Sequence, residues 1–205
     1  MVIGLILAAF QFACVAPEPY DDVSAHLEAI RAADQADRRE GFGPHVVARD
    51  AERLAAVKAY VEGECLETAR DHHNAALIHQ HGDAPADYRA AWRHAVQAVE
   101  LGDEDAAWLI PRAIDRYFMN QGYKQLYATN SRGELLDPEA GPDAGYRMCL
   151  WPVVDAVSEA RREALGVRTV AQQLDRIAQS NGEAEGRFCD GETPDPPRGA
   201  FPGYW

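Results

Sequence analysis

The sequence predicts an all-α protein: a compact bundle of about six or seven helices, with one long irregular loop and a disordered-like C-terminal tail. Three observations predict it. Apolar side chains recur at helical spacing through most of residues 20–180. Glycine and proline interrupt that pattern at intervals of roughly helix length. From Asn181 onward the chain is rich in glycine, proline and acid, too poor in apolar surface to offset the entropy of ordering.

The elements follow in order. Asp22 or Ser24 caps a first helix carrying Val23, Leu27 and Ile30, and Gly41-Phe42-Gly43-Pro44 ends it. A second helix over 46–62 places Val47, Leu54, Val57 and Val61 on one face, with Gly63 as its stop. A third, over 67–81, turns Ala69, Ala76 and Leu77 inward and closes at Gly82. Pro85 opens a fourth, where its missing N–H costs nothing; Tyr88, Trp92, Val96 and Val99 line it up to Gly102. Asp103 caps a fifth helix that Pro111 must kink or break near Trp108. Between Gly122 and Gly145 periodicity fails, as in a long functional or disordered loop. Pro152 starts a sixth helix ending at Gly166, and Thr169 caps a seventh with Leu174 and Ile177.

Composition bounds the partners. With 33 acidic against 20 basic side chains and a formal charge of −13, the chain repels phosphate backbones, so no nucleic-acid partner is expected. Residues 1–16 read as a signal peptide or lipoprotein-like leader: Gln11 is the only polar side chain from Val2 to Ala16. The expected location is therefore outside the cytoplasm, in the periplasm or cell envelope, with membrane contact only through that segment. The domain then occupies 20–180 and the tail 181–205. Removing 1–16 leaves Cys65, Cys149 and Cys189, which suggests one bridge plus a free thiol, in any of three pairings.

Two groups of polar residues are candidates for a site. His72, His73, His79 and His81 crowd the third helix, but none is spaced as a metalloprotease pair. They read as a polar helix face, and no metal or cofactor is expected. The second group is polar where burial is expected: Asp115 and Arg116 on the fifth helix, Gln125, Tyr127 and Thr129 in the irregular stretch, Arg161 on the sixth helix, and Asp71 and Asn74 on the third. Such groups either pin helices together or surround a cleft for an anionic ligand through the arginine fork. No nucleophile elbow, phosphate loop or dinucleotide fingerprint is present.

Residues from about Asp34 to Val170 resemble an uncharacterised bacterial family, the domain-of-unknown-function family numbered six-six-two-four. The resemblance rests on Asp34-Gln35-Ala36-Asp37-Arg38, Asp71-His72-His73-Asn74, His81-Gly82, Asp115-Arg116, Gly122, Gln125-Leu126-Tyr127-Ala128-Thr129-Asn130 and Arg161-Arg162 before Gly166-Val167. Ala128 stands where that pattern has glycine, and Asn130 where it has glutamine. The resemblance implies a helical domain and supplies no catalytic roles. Residues 88–106 also resemble one hairpin of a tetratricopeptide-type repeat, of which only one copy is visible. The function expected from all of this is a helical binding or interaction module for a protein or small molecule, without catalysis. The alternative is a small-ligand-binding protein or enzyme with a polar pocket around Asp115-Arg116 and Gln125-Tyr127.

Overall fold

The computed structural model describes Cys14 and residues 22–41, 43–137, 139–141 and 145–204. Apart from Cys14, the expected leader lies outside the described residues. Seven α-helices are described: α1 (Val23–Glu40), α2 (Pro44–Glu62), α3 (Ala69–His79), α4 (Pro85–Glu100), α5 (Leu109–Asn120), α6 (Glu159–Ala164) and α7 (Val170–Asn181). Local chemistry explains most of their limits. Asp22 accepts from the Ala25 N–H at 2.9 Å to start α1, and Pro44 opens α2. Thr68 with Asp71 and Thr169 with Gln172 form reciprocal capping boxes at α3 and α7. Pro111 breaks the fifth segment: Glu104–Ala106 is a 3₁₀ turn, and α5 begins only at Leu109.

Helix α3 is central, packed against α1, α2 and α4, while α5 covers the other side of α4. Alanines make the close approach possible. Ala75 and Ala76 on α3, Ala91, Ala95 and Ala98 on α4, and Ala113 on α5 are all fully buried. One apolar core joins Leu27, Ile30, Leu54, Val57, Tyr60 and Ile78; a second joins Leu109, Ile110, Ile114, Phe118, Leu126 and Tyr127.

Three expectations about the elements are corrected. The protein is mostly helical but not all-α: within and after the expected loop, β1 (Ser131–Leu135) pairs antiparallel with β2 (Tyr146–Leu150). β2 lies against α7, and its buried end at Leu150 also bonds to Arg187 and Cys189, so pairing on both sides satisfies the backbone groups there. The sixth helix starts at Glu159, not Pro152, because Gln125 holds the 152–154 backbone extended: its N–H donates to Pro152 at 2.9 Å and its carbonyl accepts from Val154 at 3.0 Å. Val47 does not join the buried face of α2; it is 54% exposed.

The tail beyond 181 is ordered against the domain, not loose. Phe201 is fully buried with its ring edge-on to Trp92, Tyr117 and Phe118. Arg89 donates to the Ala200 carbonyl and stands over the Phe201 ring. A β-carbon at Gly186 would collide with the Leu174 carbonyl, so the tail backbone crosses α7 at a separation that only glycine permits. An acid-rich composition under-predicted order here because a few aromatic anchors and a covalent link hold the segment.

That link also revises the cysteine reading. All four cysteines pair, Cys14 with Cys65 and Cys149 with Cys189, and no free thiol remains. A mature chain that began after residue 16 would lack Cys14, so this pairing requires the chain to keep it. Two disulfides hint at an oxidising environment of the kind met by exported proteins. Among the described residues no helix is long and apolar enough to cross a membrane.

The bridges close loops spanning 51 and 40 residues. Replacing Cys149 and Cys189 by serine is expected to lower the unfolding free energy by about 2–4 kcal/mol, measured by urea denaturation. Peptide mapping without reductant should recover the two pairings, and a Cys65–Cys149 or Cys65–Cys189 peptide would contradict them.

Candidate functional site

Asp115, on the inner face of α5, is wholly buried and organises the segment that follows the helix. Its carboxylate accepts from the backbone N–H groups of Leu126 (2.7 Å), Tyr127 (2.9 Å) and Thr129 (3.0 Å), and from the Thr129 hydroxyl (2.8 Å). Burial pushes the Asp115 carboxyl up to about 6, against the downward pull of the Thr129, Tyr127 and Leu126 donors, so it is an anion at neutral pH. To aim three N–H groups at one carboxylate the chain turns through Ala128, whose φ of 59° lies in the left-handed region.

Gln125, also buried, closes the same turn. Its amide nitrogen donates to the carbonyls of Asn130 (2.9 Å) and Trp151 (2.7 Å), and its oxygen accepts from the Asn130 N–H (2.9 Å). Tyr127 donates its hydroxyl to the Tyr204 carbonyl at 2.6 Å, tying in the tail; burial, with the Asp115 charge, pushes this phenol up to about 12. Two residues outside the candidate set complete the clamp. Buried Arg162 donates to the carbonyls of Leu126 and Val154, and Gln173 to that of Ala128 at 2.8 Å. Arg162 sat beside Arg161 in the sequence pattern; Gln173 carried no sequence signal.

The remaining candidates lie elsewhere. Asp71 caps α3 through Thr68. Asn74 donates to Glu28 across the α1–α3 contact at 3.0 Å, and exposed Arg161 donates to the Gly203 carbonyl at 3.1 Å. Thus Asp115, Gln125, Tyr127 and Thr129 converge on a buried turn, not on a cleft.

Arg116 points the other way, into a cleft of about 640 Å³ lined also by Arg38, Val47, Asp50, Leu54, His81 and Gly82. Its guanidinium donates to the Gln80 carbonyl at 2.5 Å and reaches the Asn130 side-chain oxygen at 3.4 Å. Among the described residues no carboxylate lies within 4.0 Å of it. Burial, then the nearby charge of Arg38, lowers the basicity of Arg116, which the Tyr88 phenol partly offsets. Across the cleft Arg38 is held by Asp50 at 2.9 Å and Asp34 at 3.4 Å.

His81 stands between them. Its Nδ1 lies 2.9 Å from the buried Asp34 carboxylate, and its Nε2 lies 3.2 Å from the Arg38 Nε. Burial lowers the His81 pKa despite Asp34. Burial would raise that of Asp34, but the His81 contact, with Gln35 and Arg38, holds it below the usual carboxylate range. The ring is thus neutral, donating through Nδ1 and accepting the Arg38 proton at Nε2. An occupied Nε2 suits a positioning group for Arg38 better than a proton acceptor.

The other histidines are not a solvated face, because α3 is central. His73 is buried with Nδ1 2.9 Å from Asp103. His72 and His94 meet Nδ1 to Nδ1 at 3.0 Å, and the His79 ring stacks on His94 with neither nitrogen hydrogen-bonded among the described residues, the Asp87 carboxylate standing 3.9 Å from its Nδ1. Burial lowers His79 to about 4, and burial with its neighbouring histidines lowers His94 to about 3, so both rings are neutral. Among the described residues, the one group of three potential metal ligands that converge is Glu134, Cys149 and Cys189, whose two sulfurs are spent on a disulfide.

No known family matches. Neither family models, curated proteins nor solved structures yield a match to this chain. The geometry of the molecule alone therefore carries the functional argument.

Two outcomes test this account. Asp115→Asn, which turns one acceptor into a donor facing N–H groups, should cost roughly 2–4 kcal/mol, whereas Ala128→Gly should add about 0.5–1 kcal/mol. Urea melts measure both, and a neutral Asp115→Asn would remove the clamp from the account. The pH dependence follows from His79: unfolded, it protonates near 6.5, but folded only near 4. The unfolded chain takes up the proton first, so stability falls as pH drops from 6.5 toward 4. His79→Leu should spare about 2 kcal/mol of the loss seen between pH 7 and pH 5, while Asp115 shifts stability oppositely in both proteins.

Proposed function

We propose that this protein is an exported helical binding domain that captures a small organic anion, without chemistry of its own, and that it works in the periplasm or cell envelope. The observation that carries the reading is Arg116: a half-buried guanidinium with no carboxylate partner among the described residues, opening into a roomy cleft. A carboxylate or phosphate meeting it gains a charge-assisted, two-pronged hydrogen bond in a setting that screens it poorly. Arg38 is already oriented by Asp50, Asp34 and His81 to add a second donor. Val47, Ala51 and Leu54 form an apolar wall. Exposed Val47 offers the apolar body of a ligand a surface to cover.

The family likeness belongs to the same reading. It is supported by Ala128, which adopts the left-handed backbone at the position where that family's pattern carries glycine.

The test uses octanoate, with an anionic head and an apolar body, and phosphate, which has only the charge. Octanoate should raise the melting temperature of the wild type more than phosphate does. Arg116→Gln should abolish that rise while leaving the melting temperature without ligand within a few degrees of wild type. An undiminished rise in Arg116→Gln, or no rise in the wild type, would refute the reading.

A further inference from the structure

Beyond the Arg116 cleft, three arginines gather on the opposite side of the Asp115 clamp. Among the described residues, half of the eighteen arginines in this acidic chain sit on carboxylates, including Arg38, Arg49, Arg53, Arg70, Arg147 and Arg187. Arg112, Arg168 and Arg176 do not: among the described residues none has a carboxylate within 4.0 Å. Arg112 donates to the Trp108 carbonyl at 3.0 Å with its guanidinium 4.8 Å from the Trp108 ring. Arg176 reaches only the Gln173 amide oxygen at 3.4 Å, and Arg168 has no hydrogen-bond partner among the described residues.

These side chains border two adjoining hollows. One, of about 380 Å³, is lined by Trp108, Arg112, Gly166, Arg168 and Gln172. The other, of about 200 Å³, is lined by Asn130, Ser131, Arg176 and Ser180. Thr129 and Gln173 border both, so the hollows form one groove with cationic groups at either end. Its floor is rigid, since Thr129 is bound to Asp115 and Gln173 to the Ala128 carbonyl. The buried Asp115 carboxylate is held by four neutral donors and keeps its charge, which offsets part of the repulsion at Arg112. Burial and then the repulsion of Arg168, with Arg116 and Arg176, lowers the basicity of Arg112. Trp108, 40% exposed, stands at the mouth.

We propose that this groove is a second binding site, taking a small free ligand with two anionic groups, one at Arg112 and Arg168 and the other at Arg176. Gathering like charges without counter-ions is unfavourable in the empty protein, and a doubly anionic ligand relieves it at both ends. The Thr129–Gln173 saddle separates the two ends by side-chain dimensions, which suits linked phosphates or a dicarboxylate better than one isolated charge. The preorganised floor reduces the ordering cost of binding.

The experiment is calorimetric titration of the full chain with pyrophosphate and with orthophosphate at neutral pH and moderate salt. Pyrophosphate should bind at least about tenfold more tightly than orthophosphate, and Arg168→Gln and Arg176→Gln should each weaken it by about tenfold. Both side chains are exposed, and an unchanged melting temperature will show that the variants fold. Equal affinity for the two anions, or variants that bind as wild type, would overturn the proposal. So would self-association that Arg168→Gln abolishes, which would make the patch a protein contact. The probe and variants differ from those of the Arg116 cleft, so either site can fail alone.

Discussion

The Asp115 carboxylate, closed inside a turn of backbone N–H groups, is the interaction on which the rest of the architecture depends. A segment of irregular backbone enters the core after α5, and every polar group it carries needs a partner there. Asp115 supplies acceptors for residues 126, 127 and 129; Gln125 serves both backbone groups of Asn130; Arg162 and Gln173 serve the carbonyls of 126 and 128. The ion is costly to bury, and four donors make it tolerable. Because these partners come from α5, α6 and α7, one buried carboxylate sets how three helices and the tail meet.

Both candidate sites follow from that arrangement. Asp115 and Arg116 are neighbours on a helix, so when one faces inward to the turn the other is rotated away, toward the end of α3 and the His81 cleft. The turn itself presents Thr129 to the surface, between hollows bordered by the arginines of α5 and α7. A stiff interior thereby holds two cationic surfaces apart on a protein whose net charge is −13.

The histidines show how position in the bundle overrides composition. Asp34 orients His81, Asp103 orients His73, and the His72–His94–His79 group is packed in neutral form between α3 and α4. Imidazole tolerates this because it sheds its proton at modest cost, where a lysine or arginine at the same depth would demand a counter-ion. A helix spelled Ala-Arg-Asp-His-His-Asn looks solvated, yet it is the most enclosed helix of the first core.

Local signals determined the helices. The caps at Asp22 and Thr169, the proline start at Pro85 and the break at Pro111 act within a turn of the chain, so their positions were legible in sequence; Pro44, read as part of the break before 46, opens α2 itself. The polarity of Asp115, Gln125, Tyr127 and Thr129 at sites that should be buried was legible too, but not their use as a loop clamp. Tertiary structure decided what depends on distant partners: the 131–135 and 146–150 strands, the Cys14–Cys65 and Cys149–Cys189 pairing, the burial of Phe201, and the burial of His73 and His79. Strand pairing, disulfides and burial join residues tens of positions apart, and no periodicity along one segment encodes what will stand opposite it.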